Sequence, residues 1–146
     1  MAAGGRTTAG LMPLILDASV LLKLVVDEAG TKEAVALLDR PASRIAPDWV
    51  FIEAANALWN KVKYSHLLER HAEEGLKSLA RFVDEVVPAS ELVDNAVSLA
   101  FRLRHPVYDT LYLALAVRKD GVVITADRDF AKAASKAGLA EYMELL

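Results

Sequence analysis

Residues 121–138 read GVVITADRDFAKAASKAG, and the fold turns on them. Val122 to Thr125 form a short β-branched run bounded by Gly121, the length of a buried strand and too short for a helix. Asp127 to Ala137 then follow with helical composition and a closing glycine at Gly138. A strand feeding directly into a helix is half of an α/β unit. The N-terminal part repeats the theme. Leu14 to Leu16 (LIL) form a strand-sized run, followed by helical material over Ser19 to Val26, a break at Gly30 and a second helix from about Thr31 to Asp39.

The middle of the chain fills in between these two units. Arg44 to Ala46 form a weak strand between Pro41 and Pro47, and Asp48 is placed to cap a long helix reaching about Tyr64. An amphipathic helix is predicted over about Glu69 to Asp84, with Leu76, Leu79 and Val83 on one face, then a third strand at Val86 and Val87, ended by Pro88. Ser90 is placed to cap a helix to about Arg104. A further helix follows His105 and Pro106 and stops at Gly121, and a last short strand is expected within Ala140 to Met143. This alternation predicts a three-layer α/β domain with a central, mainly parallel sheet of four to five strands flanked by helices. Its ligand site should lie beyond the carboxyl ends of the strands. Residues 12–146 read as a single domain. Residues 1–11, lacking periodicity and any apolar leader, read as a flexible arm or cloning remnant.

Composition excludes several classes of function. The chain has 146 residues, 54% hydrophobic and 25% charged, enough to bury roughly two-thirds of its unfolded surface. It has no cysteine, which rules out disulfides, a thiolate nucleophile and a cysteine zinc site, and suits a reducing compartment. A net charge of −3 argues against coating nucleic acid by bulk attraction, while leaving room for a local basic rim. Asp17, Lys23 and Asp27 interrupt the most apolar N-terminal region, so no run has the length of a membrane span, and a cytoplasmic location is expected. His66, His71 and His105 show no HExxH spacing and read as surface residues.

Four acids stand out against this background. Asp17 directly follows LIL and Asp127 follows VVITA, so each lies just past a strand. Either alone also reads as a helix cap. Glu53 is the one charge within WVFIEAANALW, a helix apolar nearly all round and hence expected to be mostly buried. Its stripe with Asn56 and Asn60 faces either solvent or an internal polar cleft. Asp109 heads the apolar helix VYDTLYLALAV. Two carboxylates about 4 Å apart repel by roughly 4 kcal/mol at an effective dielectric near 20, so a converging set must bind protons or a cation. All-oxygen donors point to Mg²⁺ or Mn²⁺, and such pockets are suited to phosphodiester hydrolysis.

The motifs LILDAS with VLLKL behind it, E-A-A-N over Glu53 to Asn56, YDTLYLALA around Asp109 and VVITADRDF around Asp127 resemble the motif series of PIN-domain ribonucleases, especially the VapC-type toxins of type II toxin–antitoxin systems. The resemblance spans Leu14 to Leu146. It implies a PIN-like fold and a Mg²⁺- or Mn²⁺-dependent endoribonuclease, with Asp17, Glu53, Asp109 and Asp127 matching the family's metal-binding, catalytic acids. It gives Ser19, Asn56 and Thr125 supporting roles. TADRDF offers two acids at the last position: Asp127 is favoured, with Asp129 a supporting group or a plain helix-start acid. The resemblance also implies an RNA substrate, a homodimer and a cognate antitoxin on a separate chain, with no membrane.

Other residues carry less. Lys23, Arg104, Arg118 and Arg128 lie near the motifs, but scattered cations more often form a solvated face. Trp49, Trp59 and Tyr112 read as core or dimer interface rather than base-stacking groups. A catalytically weak PIN fold that only binds RNA or antitoxin is the rival reading. A phosphoacceptor receiver domain fits less well, because LILDAS carries one acid where that pattern has a pair.

Overall fold

The computed structural model of the chain describes residues 11–146, so all but the last residue of the anticipated N-terminal arm lies outside the described residues. Five strands, β1 (Leu14–Leu16), β2 (Arg44–Pro47), β3 (Glu85–Val87), β4 (Val122–Thr125) and β5 (Met143–Leu145), form one sheet in the order β3-β2-β1-β4-β5. Every neighbouring pair is parallel. LIL and VVIT are buried along their whole length, as expected of central strands covered on both faces. They pair in register, Leu14 with Val122 and Leu16 with Ile124, so both strands end side by side. The chain runs outward through β1, β2 and β3, then returns to place β4 and β5 on the other side of β1. The topological switch point, where ligands bind in such sheets, is therefore between β1 and β4.

Seven helices connect the strands among the described residues: α1 (Ala18–Lys23), α2 (Thr31–Ala36), α3 (Trp49–Tyr64), α4 (Glu69–Ser78), α5 (Val93–Leu103), α6 (Val107–Lys119) and α7 (Arg128–Lys136). Helix α1 packs on α2 and α3, and α3 on α4, while α5 packs on α6 and α7. The right-handed crossover rule places these two groups on opposite faces of the sheet. Helix α6 is the most deeply set, with Thr110 to Ala116 all buried. Its threonine is satisfied by donating from Oγ1 to the Ala96 carbonyl at 2.7 Å, which ties α6 to α5.

Several boundaries differ from the sequence reading. Asp48 occupies the N-cap position of α3, but its side chain makes no capping bond: Oδ1 accepts from the Ala89 backbone N–H at 2.8 Å and ties the end of β2 to the turn after β3. The helix expected to reach Asp84 ends at Ser78 and tightens into a 3₁₀ turn over Leu79–Phe82. Ser90 sits in another 3₁₀ turn, Ala89–Glu91, and α5 starts at Val93 without a side-chain cap. The left-handed stop of α6 is Asp120, and Gly121 is needed for a different reason. A Cβ there would lie 2.6 Å from the Pro13 carbonyl oxygen. The last strand begins at Met143, after a 3₁₀ turn over Ala140–Tyr142, so it lies later than expected. Helix α3 is not mostly buried: only Val50, Ala54 and Leu58 are fully buried, Trp49 and Phe51 pack partly against the core, and Ile52 and Trp59 are more than half exposed.

Candidate active site

The carboxyl ends of β1 and β4 turn directly into helices, and each turn ends in an aspartate. Asp17 is the N-cap of α1, accepting from the Val20 N–H at 3.2 Å, and Asp127 is the N-cap of α7, accepting from the N–H groups of Asp129 and Phe130 at 3.0 and 3.1 Å. Each is thus both a cap and a strand-end acid. A helix N-terminus favours negative charge, which partly offsets the desolvation of each carboxylate. Two hydroxyls join the pair. Ser19 Oγ donates to Asp17 and accepts from the Ala126 N–H, while the buried Thr125 donates to Asp17 and accepts from the Asp127 N–H at 3.0 Å.

Two further acids reach the same place from other helices. Asp109, in the first turn of α6, acts electrostatically on Asp17 and Glu53 and feels the charge of Asp127. Glu53, in the second turn of α3, feels the charge of Asp17 as well and accepts a hydrogen bond from the Tyr112 hydroxyl on α6. Asp109 thus couples electrostatically to each of the other three acids singled out in the sequence, at the switch point. Burial pushes Asp17 up from 3.8 to about 6, against the hydrogen bonds from Ser19 and Thr125, with Asp109 adding to the rise. Burial likewise pushes Glu53 up from 4.5 to about 7, the Tyr112 hydrogen bond opposing it. Burial raises Asp109 too, against the hydrogen bond and charge of His105. Tyr112 stays a neutral donor, because burial and the neighbouring Glu53 hold its phenol well above its ordinary value.

The sequence reading missed His105. It is not a free surface histidine: Nε2 lies 2.6 Å from Asp109 Oδ2, and the ring stacks on the buried Phe130 with centroids 5.3 Å apart. One ligand atom each from His105, Asp109 and Asp127 lies within 4.8 Å of the others. The sequence gives little signal for it, because His105 precedes α6 and helical spacing does not relate it to Asp109. His66 and His71 are exposed, as expected.

The remaining candidates fall in different places. Asn56 is exposed and lines a cleft of about 420 Å³ with Trp49, Ile52, Glu53 and Tyr108. Asp129 is exposed and lines a separate depression with Arg102, Arg104, Lys132 and Lys136. Arg104 thus belongs to a basic cluster beside the acids, whereas Lys23 is paired with Glu28 at 3.4 Å and Arg118 with Glu91 at 3.0 Å. Tyr112 is buried as predicted, but Trp59 is more than half exposed and so is not core.

The donor set is suited to a hard divalent cation. Several carboxylates, raised by burial and mutual repulsion, are held by hydroxyls and N–H groups at the mouth of two strands. A cation relieves that repulsion without requiring protonation.

Comparison with known proteins agrees with this architecture. The family model described as PIN domain matches residues 14–136. Ribonuclease VapC3 of Pyrobaculum aerophilum is 31% identical over 123 residues, spanning 83% of this chain and 94% of its own. Two solved structures share the fold at a TM-score of 0.65. One is VapC20 of Mycobacterium tuberculosis, described as a sarcin-ricin loop cleaving toxin, at 19% identity over 82% of this chain and 94% of that one. The other is VapBC2 of Rickettsia felis bound to a DNA fragment from their promoter, at 10% identity over 92% and 99%. The chain belongs to the PIN-domain family, and within it to the VapC ribonucleases.

Proposed function

We propose that this chain is a divalent-metal-dependent endoribonuclease, the toxin of a toxin–antitoxin pair, acting as a single unit over residues 12–146. The observation that carries the reading is the convergence of Asp17, Glu53, Asp109 and Asp127 at the switch point of a parallel sheet, where burial disfavours the charged forms of Asp17, Glu53 and Asp109. The kinship with VapC3, named a ribonuclease, supplies the substrate class.

The four carboxylates would hold Mg²⁺ or Mn²⁺, which supplies charge neutralisation on the scissile phosphate and an activated water. The chain's other residues prepare that site. Ser19 and Thr125 fix the Asp17 carboxylate and the turn bearing Asp127, Tyr112 orients Glu53, and His105 orients Asp109. Asn56 stands at the mouth beside Glu53, and Asp129 acts as a helix-start acid. Arg102, Arg104, Lys132 and Lys136 form a basic surface able to attract the RNA backbone towards an otherwise acidic molecule. A separate antitoxin chain and a second copy of this chain are the proposed protein partners. Among the described residues no helix is long and apolar enough to cross a membrane.

The test is cleavage of end-labelled RNA, a tRNA pool and a single-stranded oligonucleotide, with Mg²⁺ or Mn²⁺ against EDTA, for wild type and Asp109→Asn. Cutting that needs the cation and is lost in the variant is the expected result. Uncut RNA with either ion, or cutting that survives both changes, overturns the reading in favour of a module that binds without turnover.

A further inference from the structure

The cleft beside Glu53 contains a feature that holding a cation does not require. Tyr108 immediately precedes Asp109, yet its side chain is 60% exposed. One face of its ring stacks on the Trp49 indole, centroids 5.3 Å apart and planes 14° from parallel. The two rings come from different helices, α6 and α3, and line the cleft with Ile52, itself 59% exposed, Asn56 and Glu53. Leaving this much aromatic and aliphatic surface in water forgoes burial energy, and contiguous exposed apolar surface is characteristic of contact sites.

The lining specifies what fits. It offers a flat π surface, an aliphatic wall and an amide with both a donor and an acceptor. Its lining includes the Glu53 carboxylate and no lysine or arginine, so a phosphate is repelled there. A neutral planar heterocycle with a hydrogen-bonding edge satisfies every wall.

We propose that the Trp49–Tyr108 platform with Asn56 is a nucleobase pocket, seating one unpaired base next to the phosphate held at the acids. The inference rests on the ribonuclease reading and adds a substrate feature to it. Because a base within a duplex cannot stack on a side chain, the pocket selects single strands and loops. The Asn56 amide biases the choice of base, and the backbone is left to the basic cluster beyond Asp127.

The experiment uses a single-stranded RNA oligonucleotide that the wild-type protein cuts, and the same RNA with one abasic residue stepped through the cut site. Binding is read by fluorescence anisotropy in EDTA, where no cleavage occurs, for wild type, Tyr108→Ala and Tyr108→Phe. Tyr108→Ala is expected to bind about 10- to 100-fold more weakly and to raise KM more than it lowers kcat, while Tyr108→Phe stays within about twofold of wild type. One abasic position beside the cut reproduces that loss in wild type and adds nothing in Tyr108→Ala. Equal affinity of wild type and Tyr108→Ala for the cut RNA overturns the pocket and leaves the ribonuclease reading standing. So does a Tyr108→Ala change confined to oligomeric mass by light scattering, because the platform then faces a second copy. A wild-type protein that neither binds nor cuts RNA overturns the ribonuclease reading and the pocket together.

Discussion

The two ends of the β1–β4 pair are built from the same strands by opposite rules. At the amino end, the Pro13 carbonyl accepts the Val122 N–H at 3.0 Å, the Leu14 N–H donates to Ser43 at 2.8 Å, and Gly121 presses so closely on Pro13 that a methyl group would collide. At the carboxyl end, four acids share a partly buried space, and burial raises three of them above their ordinary values. The first arrangement favours the folded state. The second opposes it in the absence of a cation, as expected where a scaffold holds like charges for chemistry. Stability and activity should therefore respond separately, and in opposite senses, to changes at the two ends.

The largest effect is expected at the carboxyl end. Asp109→Asn should lower cleavage by at least about 100-fold, because even partners of metal ligands are worth about 10–100-fold. The folded state should survive, because the substitution removes repulsion and keeps the volume. Single-turnover kinetics and circular dichroism on one sample check both halves. Loss of activity together with loss of fold would erase the distinction between the two ends. The converse change is Gly121→Ala, which forces a Cβ to within 2.6 Å of Pro13 and should destabilise by about 1–3 kcal/mol in a urea melt. Cleavage per folded molecule should stay as in wild type.

The pH dependence sharpens the contrast. Asp17 titrates near 3.8 when unfolded and about 6 when folded, so between these values the folded state binds more protons and stability falls as pH rises. For this buried group the effect is about 3 kcal/mol by pH 8, and nothing below pH 3.8. Glu53 acts in the same direction, extending the window to about pH 7. Metal-free wild type should thus be more stable near pH 5 than at pH 8. Asp17→Asn, which still caps α1, should recover on the order of 1–3 kcal/mol at pH 8 and much less at pH 4. A wild-type curve that rises between pH 5 and 8 would contradict the assignment. The smallest effect belongs to the basic rim: Arg104→Glu with Lys132→Glu should weaken RNA binding several-fold at low salt and flatten the salt dependence by about one unit of slope for each phosphate no longer neutralised.

Legibility from sequence followed burial. LIL and VVIT are buried on both faces, so their composition alone marks them as central strands, and the acids just past them follow. Edge strand β5 is three residues with partial exposure, and little in its pattern separates it from the turn before it. Asp48 looks like a cap and is one by type, but a tertiary partner at Ala89 takes its carboxylate. His105 was hidden because its role depends on the ring lying over Phe130, and the Trp49–Tyr108 stack because its halves come from separate helices. Both are contacts that only the assembled fold creates. The mostly buried α3 expected from composition fails because apolar content fixes neither how many sides of a helix are covered nor by what.

The most direct test is the urea midpoint at pH 8 of wild type and Asp109→Asn across a Mn²⁺ titration starting from EDTA. A ligand that binds only the folded state stabilises it in proportion to the logarithm of its concentration above the dissociation constant. A wild-type midpoint that climbs with Mn²⁺ from a starting value below that of Asp109→Asn, whose own midpoint stays flat, is the expected result. A wild type that is already the more stable of the two in EDTA, or a Mn²⁺ response shared equally by both, would contradict it.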